Sequence, residues 1–382
     1  MNKVIKYSLM LILVFLVLLN IEKTIAEEEN KKFIIIPEKY QIIGIKLFEY
    51  DKGYLIISNL FSDTELDSFT GVTNINKNGT ILWNKILGRK APDNWIEKVL
   101  YIPDQKSFIL LGTVNYKFYY GGRGSGWIFM INENGRVLWD KEIKEGEITH
   151  IVDGFVDNNN LFVVGNVYNS KEEESFKNSF LMKMGMNGRI VFSKNYPFKI
   201  DLIEKISDKE FLIAGLNQNV ALIGLVGANG DLIKRVELDY ILDKKTTKFI
   251  LMGKRLLIIS LPEKEQLSVK FLDLNNPNIS IKDKKLKVKD LCSLLNFKVT
   301  DDKTAIFSGK SCKDKLGVKT FKISFWDDNI RIEEIKDINL RGILNGGELL
   351  DASYDGNISV GTLSYNKIWI YRLGGFSDAK NP

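Results

Sequence analysis

One short pattern constrains this chain more than any other feature: an apolar run that ends on glycine or serine and returns seven times. The copies end at Ser58, Gly112, Gly165, Gly215, Ser260, Gly309 and Gly361, at steps of 45 to 54 positions. Many follow a turn signal, such as Asp51-Lys52-Gly53, Asp157 to Asn160, Asp301-Asp302-Lys303 or Asp355-Gly356, so each run reads as the second strand of a hairpin. Repeats of this length built from strands alone predict a ring of like sheets, a seven-bladed β-propeller.

Each unit divides into four short strands, A to D. In the first unit these are expected at Ile42 to Glu49, Tyr54 to Ser58, Gly71 to Ile75 and Thr80 to Ile86. The C–D connections carry Asn78-Gly79, Asn134-Gly135, Asn187-Gly188 and Asn229-Gly230, dipeptides that accept positive φ in a tight hairpin. The last unit has strands around Leu344 to Ala352, Ile358 to Gly361 and Lys367 to Leu373, then reaches Gly374-Gly375 without a fourth. Phe33 to Ile36, upstream of the first unit, is expected to supply it and to remove an exposed sheet edge. Pro37 suits such an outermost strand.

Residues 1 to 26 stand apart from this repeat. Lys3 and Lys6 precede an apolar run from Leu9 to Leu19, and Thr24-Ile25-Ala26 offers small residues for cleavage, the grammar of an export signal. The alternative is a retained N-terminal anchor. The expected organisation is a signal peptide over 1–26, the propeller over 27–375 and a tail over 376–382, in a secreted, periplasmic or cell-surface monomer. Removing residues 1–26 takes away three lysines and one glutamate and leaves a small positive charge, down from +6. Acidic and basic residues are interspersed, which argues against a nucleic-acid partner, and no membrane insertion is expected once the signal is cleaved.

Cys292 and Cys312 are the two cysteines, placed symmetrically about Asp302. A hairpin folded at Asp301-Asp302-Lys303 brings them opposite one another, so a disulfide is expected, with a pair of unlinked thiols as the alternative. The single histidine is distant in sequence, and neither cysteine has the neighbours of a metal site.

The C–D hairpins read Asn76-Lys77-Asn78-Gly79-Thr80-Ile81-Leu82-Trp83 and Asn132-Glu133-Asn134-Gly135-Arg136-Val137-Leu138-Trp139. This resembles the D-x-x-G-x-x-x-W repeat of the quinoprotein-type (PQQ-like) propellers, with Asn for Asp. The third unit keeps Gly188 but has Phe192 for Trp, and the fourth has Gly230 followed by Lys234. The resemblance implies blades docked by tryptophan around the ring. No residues match a quinone-binding set, and the expectation is a chain with no cofactor and no metal.

Several stretches invite a chemical reading. His150 falls at the start of an A strand, near the channel mouth, where it is either a general base or a hydrogen-bonded structural residue. Asn74 to Gly79 imitates the start of a calcium loop, but Lys85 stands where the bidentate Glu belongs. Gly121 to Gly126 looks like a phosphate loop, but a strand follows it rather than a helix. The same B–C loop of the second unit carries Tyr116, Phe118, Tyr119, Tyr120 and Arg123, side chains suited to stacking on a sugar or anchoring a protein, unless they fold back over the blade. The B–C connections of the first three units are expected to be long, Asn59 to Thr70, Val114 to Gly126 and Tyr168 to Asn178, against Asn217 to Asn219 in the fourth. Their acids, Asp63, Glu65, Asp67, Glu172, Glu173 and Glu174, form either a solvated rim or a hydrolytic carboxylate pair. Two functions stay open: an exported, noncatalytic scaffold that binds a protein or glycan through these loops, and an enzyme on the same frame using channel-mouth residues.

Overall fold

The computed structural model describes residues 31–372 except 63–66, 92–93, 115–123, 170–174, 218–219, 239–246, 264–265, 275–280, 314–315, 327–328, 340–347, 354–357 and 365–366. Its strands form seven four-stranded antiparallel sheets. Blade one holds strand A at Gln41–Tyr50, B at Gly53–Ser62, C at Asp67–Asn76 and D at Ile81–Ala91. The A strands of blades two to seven are Trp95–Ile102, Ile148–Asp157, Leu202–Lys205, Lys248–Met252, Leu291–Asp301 and Glu348–Ala352. The A strands of blades one to four touch in succession, as do those of blades five, six, seven and one, and an apolar cluster with Leu212 and Leu256 joins blades four and five, so the A strands line the inside of a closed ring. The fourth strand of blade seven is Lys31–Ile35, paired antiparallel with Lys367–Arg372 so that Phe33 faces Trp369. It starts two residues earlier than expected. Pro37 lies just beyond it, where its carbonyl accepts the Tyr40 N–H at 2.9 Å.

The sequence pattern follows burial. B strands have sheet neighbours on both sides and blades on both faces, so Ser107–Val114 is buried throughout. D strands form the outer edge and are mostly exposed, as in Leu232–Leu238. The core is a set of clusters, each bridging two neighbouring blades. Leu55, Ile57 and Val72 meet Phe108, Leu110 and Phe129 between blades one and two. Ile34 and Ile368 meet Leu47 and Ile56 where blade seven closes on blade one.

The recurrent glycine of the B strands has a cause in blades two, three, four and seven. A Cβ built on Gly112 would stand 2.0 Å from the Trp95 carbonyl oxygen, and one on Gly361 would stand 1.9 Å from that of Glu348. The inner strand bulges at this level, between Ile96 and Lys98 in blade two and between Leu349 and Asp351 in blade seven, and its backbone presses on the neighbour.

Two connections differ from expectation. The stretch Asn59 to Thr70 is not a long loop: Asn59 pairs with Thr70, Leu60 with Phe69 and Ser62 with Asp67, so the hairpin runs on beyond the expected strand ends. Its polar residues mislead because Asn59, Ser62, Ser68 and Thr70 are buried rather than solvated. Cys292 and Cys312 do form a disulfide, with Cα atoms 4.9 Å apart. Cys292 is the extra residue of a bulge between Leu291 and Ser293, and Cys312 follows the end of its partner strand, so the two meet through a register shift rather than as simple ladder partners.

Candidate functional site

Each A strand runs from the face carrying the B–C loops toward the face carrying the A–B and C–D turns. Its first residues therefore line the channel mouth on the B–C side. Trp95, His150, Lys199 and Glu348 lie in one layer, because their carbonyls lie over Gly112, Gly165, Gly215 and Gly361 respectively.

Around this mouth, cations and carboxylates pair both between and within blades. Lys46 of blade one reaches Glu97 of blade two at 2.6 Å, and its ammonium stands 4.9 Å from the ring centre of Trp95. Lys98 meets Asp153 of blade three at 2.5 Å, deeper in the channel. Lys199 and Asp201 of blade four pair at 3.0 Å, and Lys310 reaches Glu348 at 2.8 Å. Burial works against the charge of Lys98 and of Lys199, but the facing carboxylates outweigh it and leave both ammonium groups above their ordinary range. Burial raises Glu204, with Lys98 opposing the rise and Asp153 adding to it.

His150 is the third residue of its strand, with its ring 5.3 Å from that of Tyr168, which in turn meets Phe176 edge-on at 6.1 Å. Burial lowers the imidazole's pKa, Glu97 opposes the shift and Lys199 adds to it. Beside it the blade-two loop is pinned. Gly124 donates its N–H to Glu147 O at 3.1 Å and accepts the Thr149 N–H at 3.0 Å.

At the opposite mouth lies a cavity of about 410 Å³ between Phe48, Glu49, Asn296, Phe297, Lys298 and Ser353. It opens where the inner strand of blade seven ends at Ala352 while those of blades one and six continue.

On the outer side, the C–D turns lock successive blades. The Trp83 ring lies over Gly135 and its Nε1–H donates to Glu133 O at 2.5 Å. Trp139 lies over Gly188 and Phe192 over Gly230 in the same way.

No family model matches the chain, and no curated protein matches it in sequence. Among solved structures it is similar to the β-propeller domain of the Trilobed protease from Pyrococcus furiosus, at 10% identity over 90% of this chain and 100% of that one, with a TM-score of 0.49. It is also similar to a chain in the Mitotic Checkpoint Complex structure, at 10% identity over 90% of this chain and 93% of that one, with a TM-score of 0.50. The acylaminoacyl peptidase of Pyrococcus horikoshii matches at 12% identity, with a TM-score of 0.48, covering 85% of this chain and 49% of the peptidase. At these identities the likeness is one of fold.

Of the residues singled out in the sequence, His150 sits at the mouth as expected. Tyr116, Phe118, Tyr119, Tyr120 and Arg123 lie outside the described residues, as do Asp63, Glu65, Glu172, Glu173 and Glu174. Asp67 opens strand C of blade one. Residues 1–26 also lie outside them, and no described helix is long and apolar enough to cross a membrane. Among the described residues, no group of three His, Cys, Asp or Glu is placed to hold a metal. Trp95, Glu97, Tyr168 and Lys199 were not legible as site residues, since Trp95 stands 17 positions before Gly112 but His150 stands 15 before Gly165.

Proposed function

We propose that this protein is an exported, noncatalytic β-propeller that presents the B–C face of blades one to three to a protein or glycan partner. One observation carries the reading: at that mouth the charged side chains satisfy one another while Trp95, 41% exposed, faces solvent. A mouth of mutually paired charges has little left to drive proton transfer, but it is a stable frame for recognition. Gly124, which follows Tyr116, Phe118, Tyr119, Tyr120 and Arg123 in the chain, bonds to Glu147 and Thr149 at the same rim. Export is supported by the N-terminal pattern and by the Cys292–Cys312 bond, which persists in oxidising compartments. The blade docking by Trp83 and Trp139 supports kinship with the PQQ-like repeats.

The test is site-specific photo-crosslinking from position 95 and, on the opposite face, from position 77, in the exported fraction. Crosslinks to one partner from 95, lost on alanine substitution of Tyr119, Tyr120 and Arg123, support the proposal. Crosslinks from 77 alone would overturn it.

A further inference from the structure

We infer that the B–C mouth binds an uncharged saccharide stacked on Trp95. This deepens the preceding reading and rests on it for the choice of face.

Trp95 is the only aromatic residue among the large hydrophobic side chains that are exposed in the described residues. It is held in place from several sides. Its indole lies against blade one at Gly44, where a Cβ would meet the six-membered ring at 3.5 Å, and Lys46 is fixed beside it by its bond to Glu97. A ring held in one orientation, with much of its surface in water, recovers dispersion and desolvation energy when a flat C–H surface covers it, at little cost in side-chain entropy. One face of a pyranose is such a surface, and the hydroxyls at its edge require hydrogen-bonding neighbours.

The described surroundings supply those neighbours as matched ion pairs. Lys46 is matched by Glu97 and Lys199 by Asp201. An anion such as a phosphate or uronate would have to compete with Glu97 and Asp201 for the two ammonium groups, and a cation would have to displace the lysines. A neutral polyol can accept from the ammonium groups and donate to the carboxylates while both pairs persist. A protein partner would instead favour a contiguous apolar centre, whereas among the described residues Trp95 stands beside the Lys46–Glu97 ion pair.

The experiment titrates the full chain with neutral hexasaccharides of glucose, mannose, galactose and N-acetylglucosamine, and with hexagalacturonic acid, reading tryptophan fluorescence and heat. The expected result is saturable binding of at least one neutral hexasaccharide. Trp95→Ala should weaken that binding at least about tenfold, the equivalent of 1.4 kcal/mol, whereas Trp95→Phe should retain most of it. Affinity should change little with added salt, since the ligand is uncharged and both ion pairs persist. Thermal melts of both variants show whether either has lost its fold, and Trp95→Phe tests the stacking if Trp95→Ala does not fold. Failure of all four neutral sugars to bind, preference for hexagalacturonic acid, or binding that survives Trp95→Ala in a folded protein would overturn the inference. Should the sugars fail while position 95 still crosslinks to a protein, the broader function stands and only the saccharide falls.

Discussion

The carboxylate of Asp351, on the inner strand of blade seven, accepts the backbone N–H of Leu47 in blade one at 2.8 Å. Its other oxygen accepts the Ala352 N–H at 2.8 Å and the Asn296 side-chain amide at 2.9 Å. One carboxylate thus ties blades six, seven and one at the place where the ring closes. Asp153 makes the same bond from blade three to the Ile203 N–H of blade four, at 2.9 Å.

Asp351 should make stability depend on pH in an uncommon direction. Burial pushes its carboxyl up to about 6, against the pull of the Leu47 and Ala352 N–H groups and Asn296. Between the ordinary carboxylate range and that value the folded chain binds a proton that the unfolded chain does not. This group's contribution is therefore largest below about pH 4 and falls as pH rises to about 6, by roughly 2–3 kcal/mol. Urea unfolding across this range should show the loss, and the difference curve against Asp351→Asn should isolate it. Parallel curves for the two proteins would refute the assignment.

Gly112→Ala should destabilise the protein by about 1–3 kcal/mol or more, because its Cβ cannot fit beneath the Trp95 carbonyl. Gly44→Ala, on the other side of the same tryptophan, meets only ordinary contacts and should be within about 1 kcal/mol of the parent. Denaturant midpoints with unchanged m-values provide the comparison.

The seven blades were legible in the sequence for the reason this pair of variants tests. Gly112, Gly165, Gly215 and Gly361 recur because a backbone carbonyl occupies the space of a side chain, and that demand does not depend on what the blade later does. The mouth was less legible. Trp95, His150 and Lys199 share a layer, but bulges and A–B turns of different length put them at different distances from their glycines. The extended hairpin of blade one was hidden because its buried Asn59, Ser62 and Ser68 have loop-like composition.

Trp83→Ala should cost about 2–4 kcal/mol, since it removes both the cover over Gly135 and the bond to Glu133 O. Trp83→Phe should keep the cover and lose the hydrogen bond, at about 1 kcal/mol. Phe192 already occupies the equivalent place over Gly230 in blade three. Equal losses for the two variants would show that the hydrogen bond, rather than ring contact, holds the blades.

Reducing the Cys292–Cys312 bond, which spans 20 positions, should cost on the order of 3 kcal/mol through the freedom returned to the unfolded chain. Either cysteine replaced by serine should give the same loss as both together, measured by urea unfolding without reductant. An additive double variant would indicate that the thiols contribute separately.

The pairing of Phe33 with Trp369 sets synthesis and assembly in opposite directions. Lys31–Ile35 is made before the other strands of the ring and Lys367–Arg372 after them, so blade seven presents an open ladder until both are in place. Any truncation before Lys367 would strip Lys31–Ile35 of its partner as well, so damage at one end of the chain would be felt at the other.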